Sequence, residues 1–159
     1  MRRNMSRLTR ALATTGAAVV VASGMTLVAA PSAFADNCDG PLCGAAKNRT
    51  GRTMSVTTDL GTGRSGFCDV WNRGGDTTSN FWHAPCDQQT MGNGTRGGFG
   101  TGVDVDAFTF ANEGYHERFS RIGTWHWRVK GVWTKFNSAE IADCGIGDGN
   151  EIWCTVLYQ

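Results

Sequence analysis

The chain of 159 residues carries fifteen Lys and Arg against fourteen Asp and Glu, with 22 glycines, three prolines, six cysteines and six tryptophans. A near-even charge balance without a Lys/Arg cluster argues against nucleic acid as a partner. So much glycine beside so little proline points to many turns and few long helices.

Residues 1–35 read as a secretory signal peptide that is cleaved. Arg2, Arg3, Arg7 and Arg10 precede an apolar stretch over residues 11–30, and Ala33-Phe34-Ala35 closes it with a small-residue cleavage site. Thr14, Thr15, Gly16 and Ser23 interrupt the run, which favours a leader over a membrane anchor. Cleavage would remove four of the fifteen basic residues and none of the fourteen acidic ones, leaving a secreted domain of residues 36–159 with a net charge of −3. That length is one domain's worth, enough to bury roughly two thirds of its unfolded surface. No second apolar run of spanning length follows, so no membrane partner is expected after cleavage.

All six cysteines (Cys38, Cys43, Cys68, Cys86, Cys144 and Cys154) follow the cleavage site, and an even count in an exported chain reads as three disulfides. Local pairing is expected, Cys38–Cys43, Cys68–Cys86 and Cys144–Cys154, because each pair spans a short turn-rich segment. The competing arrangement joins Cys144 to Cys38 or Cys43 and staples the termini together.

Residues 36–46 form a short opening arm, pinned by its two cysteines. Strands are expected over residues 53–58, 67–71 and 80–84, separated by Gly-, Asn- and Asp-rich turns. The glycine-rich run 92–102 reads as a hairpin loop leading into a strand over residues 103–110. One face of that strand carries Val103, Val105 and Ala107, the other Asp104, Asp106, Phe108 and Phe110. After a turn comes Tyr115-His116-Glu117-Arg118-Phe119, and then the longest strand-like stretch, residues 124–136. There Trp125, Trp127 and Val129 alternate with His126, Arg128 and Lys130, the period of two of a strand with one buried and one wet face. Gly131 breaks the phase, as at a bulge or bend, and places Trp133 outward with Lys135. Residues 137–142 allow one helical turn. The loop 145–150, between Cys144 and Cys154, accepts positive φ and returns the chain into a last strand over residues 151–158. The fold class that follows is all-β, a single small antiparallel β-sandwich or barrel stapled by three disulfides.

Three functional readings arise. The tryptophan density supports a secreted, non-enzymatic module that binds cell-wall or extracellular glycan, with Trp133, Lys135, Trp125, Trp127, His126 and Arg128 as candidate binding residues. The alternative is a secreted protein-binding inhibitor or toxin-like effector acting through the stapled loop from Gly145 to Trp153. A third reading is a hydrolase using Asp104, Asp106 or Glu117, although no Gly-x-Ser-x-Gly elbow appears and every cysteine has an expected disulfide partner. Asp104 and Asp106 are also candidate Ca²⁺ ligands, and no other cofactor is expected.

With its leader and local cysteine pairs, and with Gly102-Val103-Asp104-Val105-Asp106-Ala107-Phe108-Thr109-Phe110 and Lys130-Gly131-Val132-Trp133-Thr134-Lys135 as signature-like segments, the chain resembles small exported proteins of Streptomyces-type actinobacteria. The resemblance implies export and a compact disulfide-stapled β-protein. It assigns no activity and no site residue.

Overall fold

The computed structural model describes residues 43–98 and 102–159. The expected signal peptide and the expected Cys38–Cys43 pairing lie outside the described residues. Among the described residues, twelve strands form two six-stranded sheets. The first sheet runs in the order β6 (Arg96–Gly97), β1 (Ala45–Arg49), β11 (Glu140–Ile146), β12 (Ile152–Tyr158), β8 (Tyr115–Phe119), β9 (His126–Arg128). The second runs β4 (Trp82–Cys86), β3 (Gly66–Val70), β10 (Val132–Lys135), β7 (Ala107–Thr109), β2 (Met54–Thr57), β5 (Gln88–Met91).

Both sheets are mixed, which corrects the expected all-antiparallel arrangement. Sequence neighbours β3–β4, β8–β9 and β11–β12 pair antiparallel across local connections. Strands far apart in sequence, β1 with β11, β12 with β8 and β10 with β3, pair parallel. Turn residues announce only the first kind, because a parallel neighbour needs a crossover rather than a hairpin.

Side chains from both sheets meet in one core, where Met54, Val56 and Phe108 of the second pack with Tyr115, Ala142, Ile152 and Val156 of the first. A smaller core gathers Cys68, Val70, Cys86, Ala107 and Trp133. Each described disulfide crosses an antiparallel hairpin, Cys68–Cys86 with Cα atoms 5.9 Å apart and Cys144–Cys154 directly opposite one another at 4.0 Å. Both pairings follow the local scheme expected from sequence.

Three local readings change. The stretch 124–136 is not one bent strand: β9 belongs to the first sheet and β10 to the second, and the chain crosses between them at Gly131. Gly131 has φ 78° and its N–H donates to the Phe110 carbonyl at 2.9 Å, a backbone state that suits glycine. The expected helical turn at 137–142 is instead a capped turn into β11, with the Glu140 N–H on the Asn137 carbonyl and the Asn137 N–H on Glu140 Oε2. The expected strand 103–110 shortens to β7, because the segment before it is held by its aspartates rather than by a ladder. Asp104 accepts from the Gly44 amide and the Ser138 hydroxyl, and Asp106 from the Leu60 amide at 3.0 Å.

Burial pushes the Asp106 carboxyl up to about 6, against the pull of the Leu60 amide. Its native pKa lies above the ordinary 3.8, so the native state holds its proton more tightly than the unfolded chain. Stability therefore falls as pH rises from about 4 to about 6 and levels off above. Burial also raises Glu117 and Glu140, which act in the same direction. Asp106→Asn keeps an acceptor for Leu60 and removes the charge. It is expected to gain about 2 kcal/mol at pH 7.5 and little at pH 4. Urea midpoints at the two pH values check this, and an equal gain at both would contradict it.

Candidate functional site

Three tryptophans and a histidine converge on the outer face of the first sheet. Parallel pairing of β12 with β8 sets Trp153 beside His116, and antiparallel pairing of β8 with β9 sets His116 beside Trp127. Three rings thus stand in one row across three strands. The His116 ring stacks on Trp153 at 4.2 Å with an interplanar angle of 19°, and meets Trp127 edge-on at 4.8 Å. Its Nε2 lies 2.9 Å from Glu151 Oε2, which fixes the imidazole from the loop side.

A second row lies two residues further along. The Arg118 guanidinium covers the Trp125 ring at 4.3 Å and its Nε donates to Thr155 Oγ1 at 3.3 Å. Trp125 in turn meets Trp153 edge-on at 4.7 Å. Such contacts leave the rings little rotamer freedom, so the face is preformed. Two glycines make room for it: a Cβ at Gly114 would collide with the Trp127 ring, and one at Gly147 with the Trp153 ring. Trp127 remains 50% exposed, while Trp125 and Trp153 are partly covered.

Beneath this face lies a buried ion pair. Arg128 donates from Nη2 to Glu117 Oε1 at 2.8 Å, and its guanidinium lies 3.5 Å from the Trp71 ring centroid. The Glu117 side chain is 0% exposed, and its second oxygen and Arg128 Nε have no hydrogen-bond partner among the described residues. Burial raises the Glu117 carboxyl, with Arg128 opposing the shift. Tyr115, also buried, shares its hydroxyl between Val132 and Thr134, and burial raises its pKa as well.

On β9, Trp127 therefore faces outward, while Arg128, also a candidate binding residue from sequence, reaches in to Glu117. An inward-pointing charge on β9, an edge strand, also discourages another chain from adding to the sheet. His126 is exposed and stands opposite Glu117. Trp133, expected outward, is only 3% exposed and belongs to the smaller core. Its strand lies between β3 and β7 with both faces covered, so a change of phase moves a side chain from one interior to another. Lys135 is on β10 of the second sheet, its backbone N–H on Asn72 Oδ1, and it does not join the aromatic row. His116, Trp153, Arg118 and Glu151 were not among the candidates from sequence.

The carboxylates proposed for metal or catalysis have structural partners. Asp104 and Asp106 hold loop amides, and Glu117 holds Arg128. Among the described residues no group of three or more His, Cys, Asp or Glu side chains is placed to share a metal ion. A cleft of about 430 Å³ opens beside Phe119, Asn137 and Glu140. A separate exposed patch lies on the β3–β4 hairpin, where Phe67 stacks on His83 at 4.6 Å and His83 Nδ1 contacts Asp69 at 2.6 Å.

The outer face of the first sheet thus presents rigid rings flanked by charged and hydroxyl groups. Comparison of the chain with known protein families, with characterised proteins and with solved structures finds no match.

Proposed function

We propose that the protein is a secreted, non-enzymatic module that holds a cell-wall or extracellular glycan on the outer face of its first sheet. The observation that carries this reading is the row Trp153–His116–Trp127 on three adjacent strands, with Trp127 half exposed. A sugar ring presents a flat face of C–H groups that packs on an aromatic ring, and hydroxyls around its rim that need polar partners. Arg118, Thr155 and Glu151 stand at the borders of the row to supply them. The disulfides suit an oxidising compartment, which supports the secreted part of the reading.

Sedimentation with insoluble peptidoglycan, chitin and cellulose tests the proposal. Retention on at least one is expected, and Trp127→Ala should weaken it at least about tenfold, roughly 1.4 kcal/mol, while the unfolding midpoint barely moves. No retention on any of the three, with tryptophan fluorescence unmoved by soluble oligosaccharides, would remove the reading.

A second reading has one observation behind it. Ile146 is 41% exposed at the end of β11, beside the reversal into β12, which the Cys144–Cys154 bridge spans and a short 3-10 turn over Asp148–Asn150 tightens. Such a loop fits a protein-binding inhibitor. A protease panel with inhibition lost in Ile146→Asp would favour it over the glycan.

A further inference from the structure

The aromatic row continues into a cationic cleft on the same face. Arg49, Arg118, Arg121, Asp143, Thr155 and Leu157 line a cleft of about 250 Å³, and Arg118 belongs to both cleft and row. Three guanidinium groups therefore surround a space with a single carboxylate, Asp143. That carboxylate is already engaged by Arg49, whose Nη2 lies 2.7 Å from Asp143 Oδ1. Arg121 makes no hydrogen bond or ion pair among the described residues. Arg118 uses only its Nε, on Thr155, so its terminal nitrogens remain for a ligand.

Residues 36–159 carry a net charge of −3, so positive charge concentrated here runs against the balance of the domain. An excess of unpaired arginine beside fixed rings is the arrangement that recognises a carboxylate or an ester anion on a ring-shaped ligand.

Resting on the glycan reading above, we infer that the ligand is an acidic glycan. One sugar ring packs on Trp127, and an anionic substituent further along the chain enters the cleft between Arg118 and Arg121. A carboxylate sugar and a sulfate- or phosphate-bearing sugar share this chemistry. Single-stranded nucleic acid also combines rings with anions, but it needs successive exposed ring faces and a cationic track along the backbone. Here only Trp127 is half exposed, Trp125 is already covered on one side by Arg118, and the cations gather at one point.

Calorimetric titration of the purified protein tests this with four hexamers: galacturonate, a sulfated glucan, the unmodified neutral glucan and thymidylate. At low salt at least one acidic hexamer should bind about tenfold tighter than the neutral one, with the advantage shrinking as salt rises. Which of the two acidic hexamers gains more identifies the anion. Arg121→Glu should erase the advantage, whereas Trp127→Ala should weaken acidic and neutral hexamers alike. Equal affinity for acidic and neutral hexamers, or an advantage that survives both Arg121→Glu and Arg118→Gln, overturns the acidic assignment and leaves the glycan reading standing. Thymidylate binding as tightly as the best acidic sugar overturns the choice of a glycan. No binding by any sugar overturns both.

Discussion

Arg128→Ala is expected to cost about 3 kcal/mol of stability at pH 7.5, more than an ordinary surface substitution by a wide margin. The cause is the carboxylate left behind. Glu117 is fully buried, its Oε1 is held by Arg128 at 2.8 Å, and its Oε2 already has no hydrogen-bond partner among the described residues. Without the guanidinium, only the weaker pull of His126 opposes the burial that raises the Glu117 carboxyl, and the variant must either strand a buried charge or take up a proton. Because the native pKa then lies further above the unfolded one, stability falls as pH rises from the ordinary carboxylate range toward that native value. The loss should be clearly smaller at pH 5 than at pH 7.5. Packing over Trp71 is also lost, which no pH restores. Chemical denaturation of the single variant and of Glu117→Gln/Arg128→Ala separates the two contributions. The double variant should recover most of the pH-dependent part. A loss below about 1 kcal/mol, or one that is the same at both pH values, would contradict the stranded-charge account.

The two described disulfides are expected to differ in worth. On chain entropy alone they are close, since loops with sequence separations of 18 and 10 differ by only a few tenths of a kcal/mol. What differs is the surrounding support. Cys144 and Cys154 face each other at the middle of the β11–β12 ladder, which a tight reversal already holds and which β1 and β8 flank. Cys68 and Cys86 instead tie β4, an edge strand, to β3, and they supply two of the five buried residues of the smaller core, whereas Cys144 and Cys154 are two of the fourteen of the larger one. Cys68→Ala/Cys86→Ala should therefore cost about 4 kcal/mol, the loop term of about 3 with a packing loss added. Cys144→Ala/Cys154→Ala should cost about 2. Urea midpoints rank them, and the first variant should also show an early fluorescence change as Trp82 and Trp133 become wet. Equal losses, or the reverse order, would contradict the account.

Local signals in the sequence carried a good part of this fold. Tyr115 to Phe119 is a strand as expected, and the glycine-rich reversal after Cys144 does close a disulfide-bridged hairpin. What alternation cannot supply is its own sign. Trp125, Trp127 and Val129 against His126, Arg128 and Lys130 gave a period of two, but which set turns inward was decided by Glu117, eleven residues before Arg128. Trp133 was misplaced for a related reason, since a strand covered on both faces has no wet side for its pattern to reveal.

The candidate site was half legible. Trp125 and Trp127 were found, but His116 and Trp153 meet only because β8 and β12 pair in parallel, and no turn marks that contact. A signal for Trp153 did exist: Ile152, Cys154 and Val156 are the buried alternates of β12, which leaves Trp153 on the outer face.

The central claim, that the aromatic row on the outer face of the first sheet is where ligand binds, is tested most directly by nitrogen-15 NMR titration with whichever glycan the sedimentation assay retains. The six tryptophan indole N–H signals report separately on the competing regions. The account predicts that Trp127, Trp125 and Trp153 shift first and together, with Arg118 and Glu151 amides following, while Trp133 and Trp71 in the interior stay still. Shifts confined to Trp82 and the Phe67–His83 hairpin, or to the cleft beside Glu140, would place the ligand elsewhere and contradict it.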